Sequence, residues 1–180
     1  MRITPTAIAG AVILDLETRA DDRGFFARIF CAEEFAAAGL NTRIAQSNMS
    51  RSLRRGTMRG LHRQVEPDGE SKLVRCPRGA IFDVCVDMRE ESPTYRQWVG
   101  VRLDEENGRM LYVPERCAHG FLTLEDDSVA VYDASVPYAP ASVRGVRFDD
   151  PAIGIDWPID VTVISEQDRR WPLLTPSGTA

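Results

Sequence analysis

An all-β fold of the double-sheet jelly-roll type is what this 180-residue sequence predicts, on three observations. Short apolar runs alternate with the period of two that puts every second side chain on one face of a strand. The turn signals "EESP", "EENG", "LEDDS" and "VPYAP" separate those runs at the short, regular intervals of a sandwich or barrel. Helix-forming text is scarce, and no repeat, low-complexity tract or linker divides the chain, so one domain over residues 1–180 is expected.

Taken in order, "AIAGAVIL", Ala7 to Leu14, reads as a first strand. A secretory leader is the alternative, but only Arg2 precedes the apolar run, and "DLETRADDRG" stands where a small-residue cleavage site belongs. "AEEFAAAG", Ala32 to Gly39, has helical composition with Gly39 at the C′ position. "MRGLHRQ" reads as a strand with Met58, Gly60, His62 and Gln64 on one face, and Arg59 and Arg63 around Leu61 on the other. Two polar residues on one face suggest a barrel interior that holds a ligand. For Arg59 to reach that ligand too, the alternation must break before His62, and Gly60 can supply a bulge. In "IFDVCVDM", Phe82, Val84, Val86 and Met88 share one face, and Asp83, Cys85 and Asp87 the other. "WVGVRL" aligns Val99, Val101 and Leu103, and "MLYVP", "FLTL" and "SVAVYDAS" continue the series. After Trp157 only short turns or a short helix near "SEQDRR" are expected.

Composition narrows the function classes. The apolar fraction of 43% suffices for a real core, and the formal charge of −5 argues against nucleic acid as the main partner. A local basic pocket for a small anion remains compatible with it. No stretch approaches the ~20 apolar residues of a membrane span. The four cysteines, Cys31, Cys76, Cys85 and Cys117, form no CxxC pair and read as reduced thiols of a cytoplasmic protein, with Cys76 and Cys85 packed in the core.

Two histidines and one lysine carry the chemical signal. Every basic residue except Lys72 is arginine. Arginine binds anions as a fixed planar fork, whereas lysine is a compact charge that can lie against one developing oxyanion. A chance survivor of codon drift is the alternative. His119, in "YVPERCAHGFLTLEDD", is expected at the entrance of a strand, on the rim of the barrel, with bridging of that loop as its structural alternative. A metal centre would have two imidazoles plus carboxylates to draw on, with Gln64 where an HxH pair needs its second histidine. Without a metal, the set suits proton transfer beside a ketone. Imidazole, with a pKa of about 6.5, is a suitable base for an α-proton. Lys72 would stabilise the enolate oxygen. Tyr132 would give a proton from the opposite face, and a carboxylate on the far nitrogen of His62 would orient it.

The segments "DDRGFFARIF", "QSNMSRSLRRGTMRGLHRQ", "KLVRCPRGAIFDVCVDMREESPTY", "YVPERCAHGFLTLEDD", "YAPASVRGVRFDDPAIGIDWP" and "SEQDRRWP" together resemble the dTDP-4-dehydrorhamnose 3,5-epimerases, a metal-free branch of the cupins, nearly end to end. The resemblance implies a cupin-type jelly roll with a few short helices, no cofactor, and inversion of C3, C5 or both in a nucleotide-linked 4-keto-6-deoxyhexose for deoxysugar biosynthesis. It makes His62 the base, Asp168 its dyad carboxylate, Tyr132 the acid and Lys72 the group near the ketone. Arg23, Phe25, Gln46, Ser47, Asn48, Arg59 and His119 fall at positions for the nucleotide diphosphate or sugar. It further implies a homodimer in which an N-terminal strand arm carrying Arg23 serves the partner's pocket. Independently, Arg23 and Arg59 suit a diphosphate, and Phe25 and Phe26 offer an aromatic face for a base or sugar, or pack in the core. The chain departs from the family at three substrate-binding positions: Arg28 and Val143 stand where Glu is usual, and Gln167 where a basic residue is common. Those departures bear on which base or sugar is taken, leaving a CDP- or GDP-linked substrate as one alternative. A sugar-nucleotide binder without catalysis and a metal-dependent cupin enzyme are the others.

Overall fold

The computed structural model describes residues 1–174. Fourteen strands and two short helices run in the order β1 (Arg2–Pro5), β2 (Val12–Asp15), β3 (Arg19–Asp21), β4 (Gly24–Phe26), α1 (Ala32–Ala37), β5 (Gln46–Ser52), β6 (Thr57–Gln64), β7 (Lys72–Arg78), β8 (Ala80–Asp87), β9 (Trp98–Asp104), β10 (Met110–Val113), β11 (Cys117–Thr123), β12 (Ser128–Ala134), β13 (Val143–Gly145), β14 (Val163–Ile164) and α2 (Glu166–Arg169). One sheet has the order β1-β2-β10-β7-β12-β5; the other is β13-β6-β11-β8-β9, with β14 also beside β6; β3 and β4 form a separate hairpin. The fold is the jelly roll expected from the sequence.

Both faces of the second sheet are covered, which explains the alternation of β8. Ile81 and Cys85 join Val74, Leu111 and Ala130 of the first sheet in the core between the sheets. Val84, Val86 and Met88 pack on the outer side under Val146, Ile153 and Trp157. The first sheet is covered in turn by Phe35 and Leu40, which rest on Leu14, Leu73 and Met110. Full burial of a side chain such as Phe35 contributes roughly 1.5–3 kcal/mol. The helix ends as expected: Gly39 has φ +71°, and its N–H donates to the Ala36 carbonyl. Cys76, Cys85 and Cys117 are buried, and burial pushes the Cys76 thiol up to about 11, so it is packing material rather than a nucleophile.

Two local expectations are corrected. The run Ala7 to Leu14 is not one strand, because β1 and β2 are an antiparallel hairpin whose tip lies within it. The Thr6 hydroxyl accepts from the Ile8 N–H and donates to the Ala11 carbonyl, while Gly10 at φ +81° supplies the backbone reversal. Ile8 is apolar because the tip tucks into the core, not because it continues a strand.

The strict alternation assumed for Met58, Gly60, His62 and Gln64 also fails, where a break was anticipated. His119 of β11 pairs with His62, but Phe121 pairs with Arg59, so two residues of β6 oppose Gly120 alone. This bulge puts Arg59 and His62 on the same cavity wall. Gln64 does not face a ligand: its amide donates to the Asp68 and Pro137 carbonyls and accepts from the Ala139 N–H, anchoring two loops.

Candidate active site

The interior between the sheets is apolar at one end and polar at the other. β6, β8 and β11 bring His62, Asp83 and His119 to the polar end, and β7 and β12 bring Lys72 and Tyr132 from the opposing sheet. A cavity of about 480 Å³ is lined by Arg59, His62, Lys72, His119, Tyr132, Gln167 and Asp168, with Ser50 and Phe121 among the rest. A second of about 510 Å³ is lined by Gln46, Asn48, Glu70, Tyr138 and Val143. His62, Lys72, Tyr132 and Gln167 border both, so the two are lobes of one cleft and these side chains sit at its waist.

His62 is oriented by a residue 106 positions away. The edge of β6 is occupied at its two ends, by β14 beside Thr57 and Met58 and by β13 beside His62 to Gln64. Between them Asp168 completes the edge, accepting from the Gly60 N–H at 3.3 Å and meeting His62 Nε2 at 2.5 Å. Ser165 caps α2 by accepting from the Asp168 N–H at 3.0 Å, which aims the carboxylate. Burial works to raise Asp168, but the bond and charge of His62, with the Gly60 N–H and Ser165, hold it below the usual carboxylate range. With Asp168 accepting at Nε2, Nδ1 carries the free lone pair. The His62 side chain is 37% exposed and lines both lobes, so the ring is accessible to a ligand in the cleft. Trp171 stands edge-on to His62 at 6.5 Å, and its ring fills the space a Cβ on Gly145 would need.

Lys72 forms an ion pair with Glu70 at 2.7 Å. His119 makes a second dyad, its Nε2 2.7 Å from Asp83 Oδ1. It lies two residues inside β11 and is buried, so it neither sits on an open rim nor bridges a loop. Asp83 is fully buried and pushed up by that burial, with His119 and Lys72 opposing the rise. Tyr132 is also pushed up by burial, and further by the nearby Glu70, so its phenol holds its proton across the neutral range. Arg59 is held against β5, its Nε donating to Ser52 Oγ at 3.1 Å and its Nη2 to the Arg51 carbonyl at 3.2 Å. Ser50 Oγ, in the first lobe, is buried without a hydrogen-bond partner among the described residues.

Ten of the fourteen sequence-predicted positions thus line the cleft: the four proposed for catalysis with Gln46, Asn48, Arg59, His119, Val143 and Gln167. The other four lie elsewhere in this chain. Ser47 is on the opposite face of β5 from Gln46 and Asn48, hydrogen-bonded to Asp133, because alternation turns it away. Arg23 pairs with Asp21 on the β3–β4 hairpin, where Phe25 is 64% exposed rather than packed in the core. Arg28 pairs with Glu34 at 3.0 Å, beside a separate pocket. Glu70, Asp83, Ser50 and Trp171 were not anticipated. Asp83 had a signal, an acid inside an apolar alternating strand; Glu70, in a Pro-Asp-Gly turn, reads as an ordinary solvated loop residue.

The family model described as dTDP-4-dehydrorhamnose 3,5-epimerase matches residues 5–176. A dTDP-4-dehydrorhamnose 3,5-epimerase of Methanothermobacter thermautotrophicus is 47% identical over 177 residues, covering 96% of this chain and 94% of the relative. A dTDP-4-dehydrorhamnose 3-epimerase of Streptomyces niveus is 41% identical over 181 residues, covering 100% and 87%. The crystal structure of a Legionella pneumophila dTDP-6-deoxy-D-glucose-3,5-epimerase in complex with dTDP-4-keto-L-rhamnose superposes with a TM-score of 0.90 at 38% identity, over 96% of this chain and 92% of that one.

Proposed function

Since the chain belongs to the dTDP-4-dehydrorhamnose 3,5-epimerase family and is an epimerase of deoxysugar biosynthesis, we propose that its cleft inverts C3, C5 or both of a dTDP-linked 4-keto-6-deoxyhexose. The observation that carries this reading is the waist of the cleft, which His62 lines from one sheet and Lys72 and Tyr132 line from the other. His62 Nδ1 takes the proton from the carbon beside the ketone. The C–H electron pair moves into the ring, and the negative charge collects on the C4 oxygen, where the Lys72 ammonium stabilises it. Tyr132 then delivers a proton to the opposite face of that carbon, and the electron pair returns from oxygen to re-form the ketone. Solvent carries the proton from the imidazolium back to the phenolate, so no electrons are gained or lost. C3 and C5 both flank C4, so one set of groups serves either carbon once the ring is turned.

Arg59, with Gln46 and Asn48 in the adjoining lobe, suits the diphosphate and sugar hydroxyls. The whole chain acts as one catalytic domain within a homodimer, and the β3–β4 hairpin is the arm that carries Arg23 and Phe25 to the partner's cleft. Support for this comes from the apolar edge: β5 ends its sheet, and Met49 there and Phe25 and Phe26 on the hairpin are all exposed. Ser47 positions β5 through Asp133 instead of touching substrate. Arg28, Val143 and Gln167 modulate the choice of nucleotide and sugar. A panel of dTDP-, UDP-, CDP- and GDP-linked 4-keto-6-deoxy sugars in D₂O, read by NMR, tests the reading. Deuterium at C3 or C5 of the dTDP sugar at the highest kcat/KM is the expected result. Preference for another base would reassign the substrate, and tight binding without exchange on any of them would leave a binding protein only.

A further inference from the structure

Glu70 lines the second lobe beside the waist of the cleft, with no part in the reaction just described. Its carboxylate lies 2.7 Å from Lys72 Nζ, and the two side chains are only 11% and 10% exposed. A second carboxylate, Asp83, projects into the interior from the other sheet; one of its oxygens has no hydrogen-bond partner among the described residues, and the Lys72 charge opposes the rise that burial gives it. A lysine on a free four-carbon stem adopts many rotamers and would settle against whichever acid it reaches. Glu70 lines the second lobe and Asp83 lies behind the first, so the choice of partner decides where along the cleft the positive charge sits.

Resting on the epimerase reading above, we infer that Glu70 is a positioning residue: it holds the Lys72 ammonium at the junction of the two lobes and away from Asp83. An ammonium has three N–H donors and no acceptor. Glu70 takes one and fixes the direction of the other two, which face the ketone oxygen. The Glu70 charge also compensates the ammonium in the empty cleft, so the cation is not left buried and unpaired. During the reaction Glu70 stays an acceptor and exchanges no proton with the sugar.

The test is a double-mutant cycle on deuterium exchange into dTDP-4-keto-6-deoxyglucose, with Glu70→Ala, Glu70→Gln, Lys72→Ala and Glu70→Ala/Lys72→Ala. Glu70→Ala lowers kcat roughly 10- to 100-fold, the scale of one charge-assisted bond, and moves KM less than about threefold. Glu70→Gln, which keeps an acceptor of the same shape, recovers part of the rate and serves also if the alanine variant does not fold. In the Lys72→Ala background, Glu70→Ala has no further effect, because Glu70 acts only through Lys72. An equal loss in both backgrounds, an unchanged kcat, or an effect confined to KM overturns the assignment. Failure of the unsubstituted protein to exchange at all would instead strike the epimerase reading, which keeps the two separable.

Discussion

Replacing His62 with alanine is expected to lower exchange at both C3 and C5 by roughly 10³-fold or more, the upper part of the range for loss of a general base. The reason is geometric. His119, the other imidazole in the cleft, is buried against Asp83. His62 alone combines a carboxylate on one nitrogen with a partly exposed ring. Binding of dTDP should change far less, because Arg59, Gln46 and Asn48 are held by β5 and β6 without help from the imidazole. The fold should also survive. The alanine leaves little cavity at a partly exposed position, although Asp168 loses a hydrogen-bond partner at a cost of about 1–3 kcal/mol. Isothermal titration with dTDP and a thermal melt beside the exchange rate distinguish a lost base from a lost pocket.

Gly60→Ala should be strongly damaging for a single-methyl change. Gly60 has φ +109°, and a Cβ there would lie 2.7 Å from both Gly120 Cα and the His119 carbonyl oxygen. Those contacts are backbone atoms of the neighbouring strand, so no side chain can swing aside. Either β6 separates from β11 or the bulge is lost. Loss of the bulge restores simple alternation and sends Arg59 and His62 to opposite faces. A cost of about 3–5 kcal/mol, or about 10 °C in Tm for a chain of this size, is expected. Whatever folds should be nearly inactive. Thermal unfolding with activity at low temperature checks both parts; an alanine variant with ordinary Tm and turnover would mean the bulge does not place the site.

The architecture was legible wherever a strand lies between two covered faces. β8 shows its two faces in the sequence because each meets a different apolar cluster. β5 was not legible: "QSNMSRS" turns one polar face to the cleft and leaves the other exposed, so no apolar alternation marks it. The first hairpin was misread because the buried tip residue Ile8 mimics the interior of a strand. Within the site, the histidines, the lone lysine and the glycine of the bulge announced themselves by rarity and position. The His62–Asp168 contact did not, since it depends on β14 returning parallel to β6 more than a hundred residues later. Only the resemblance to a family linked those two. Glu70 and Ser47 failed in opposite directions, since both lie near the cleft in sequence and only the backbone direction decides which side chain enters it.

The account turns on two walls, with the proton leaving to His62 and returning from Tyr132. NMR of Tyr132→Phe with dTDP-4-keto-6-deoxyglucose in D₂O tests this most directly. The prediction is deuterium entering at C3 or C5 while the configuration at the labelled carbon is retained, because the solvent-accessible imidazole can return only to the face it took from. Inversion at an undiminished rate, with label at the inverted carbon, would contradict it and remove the phenol from the chemistry.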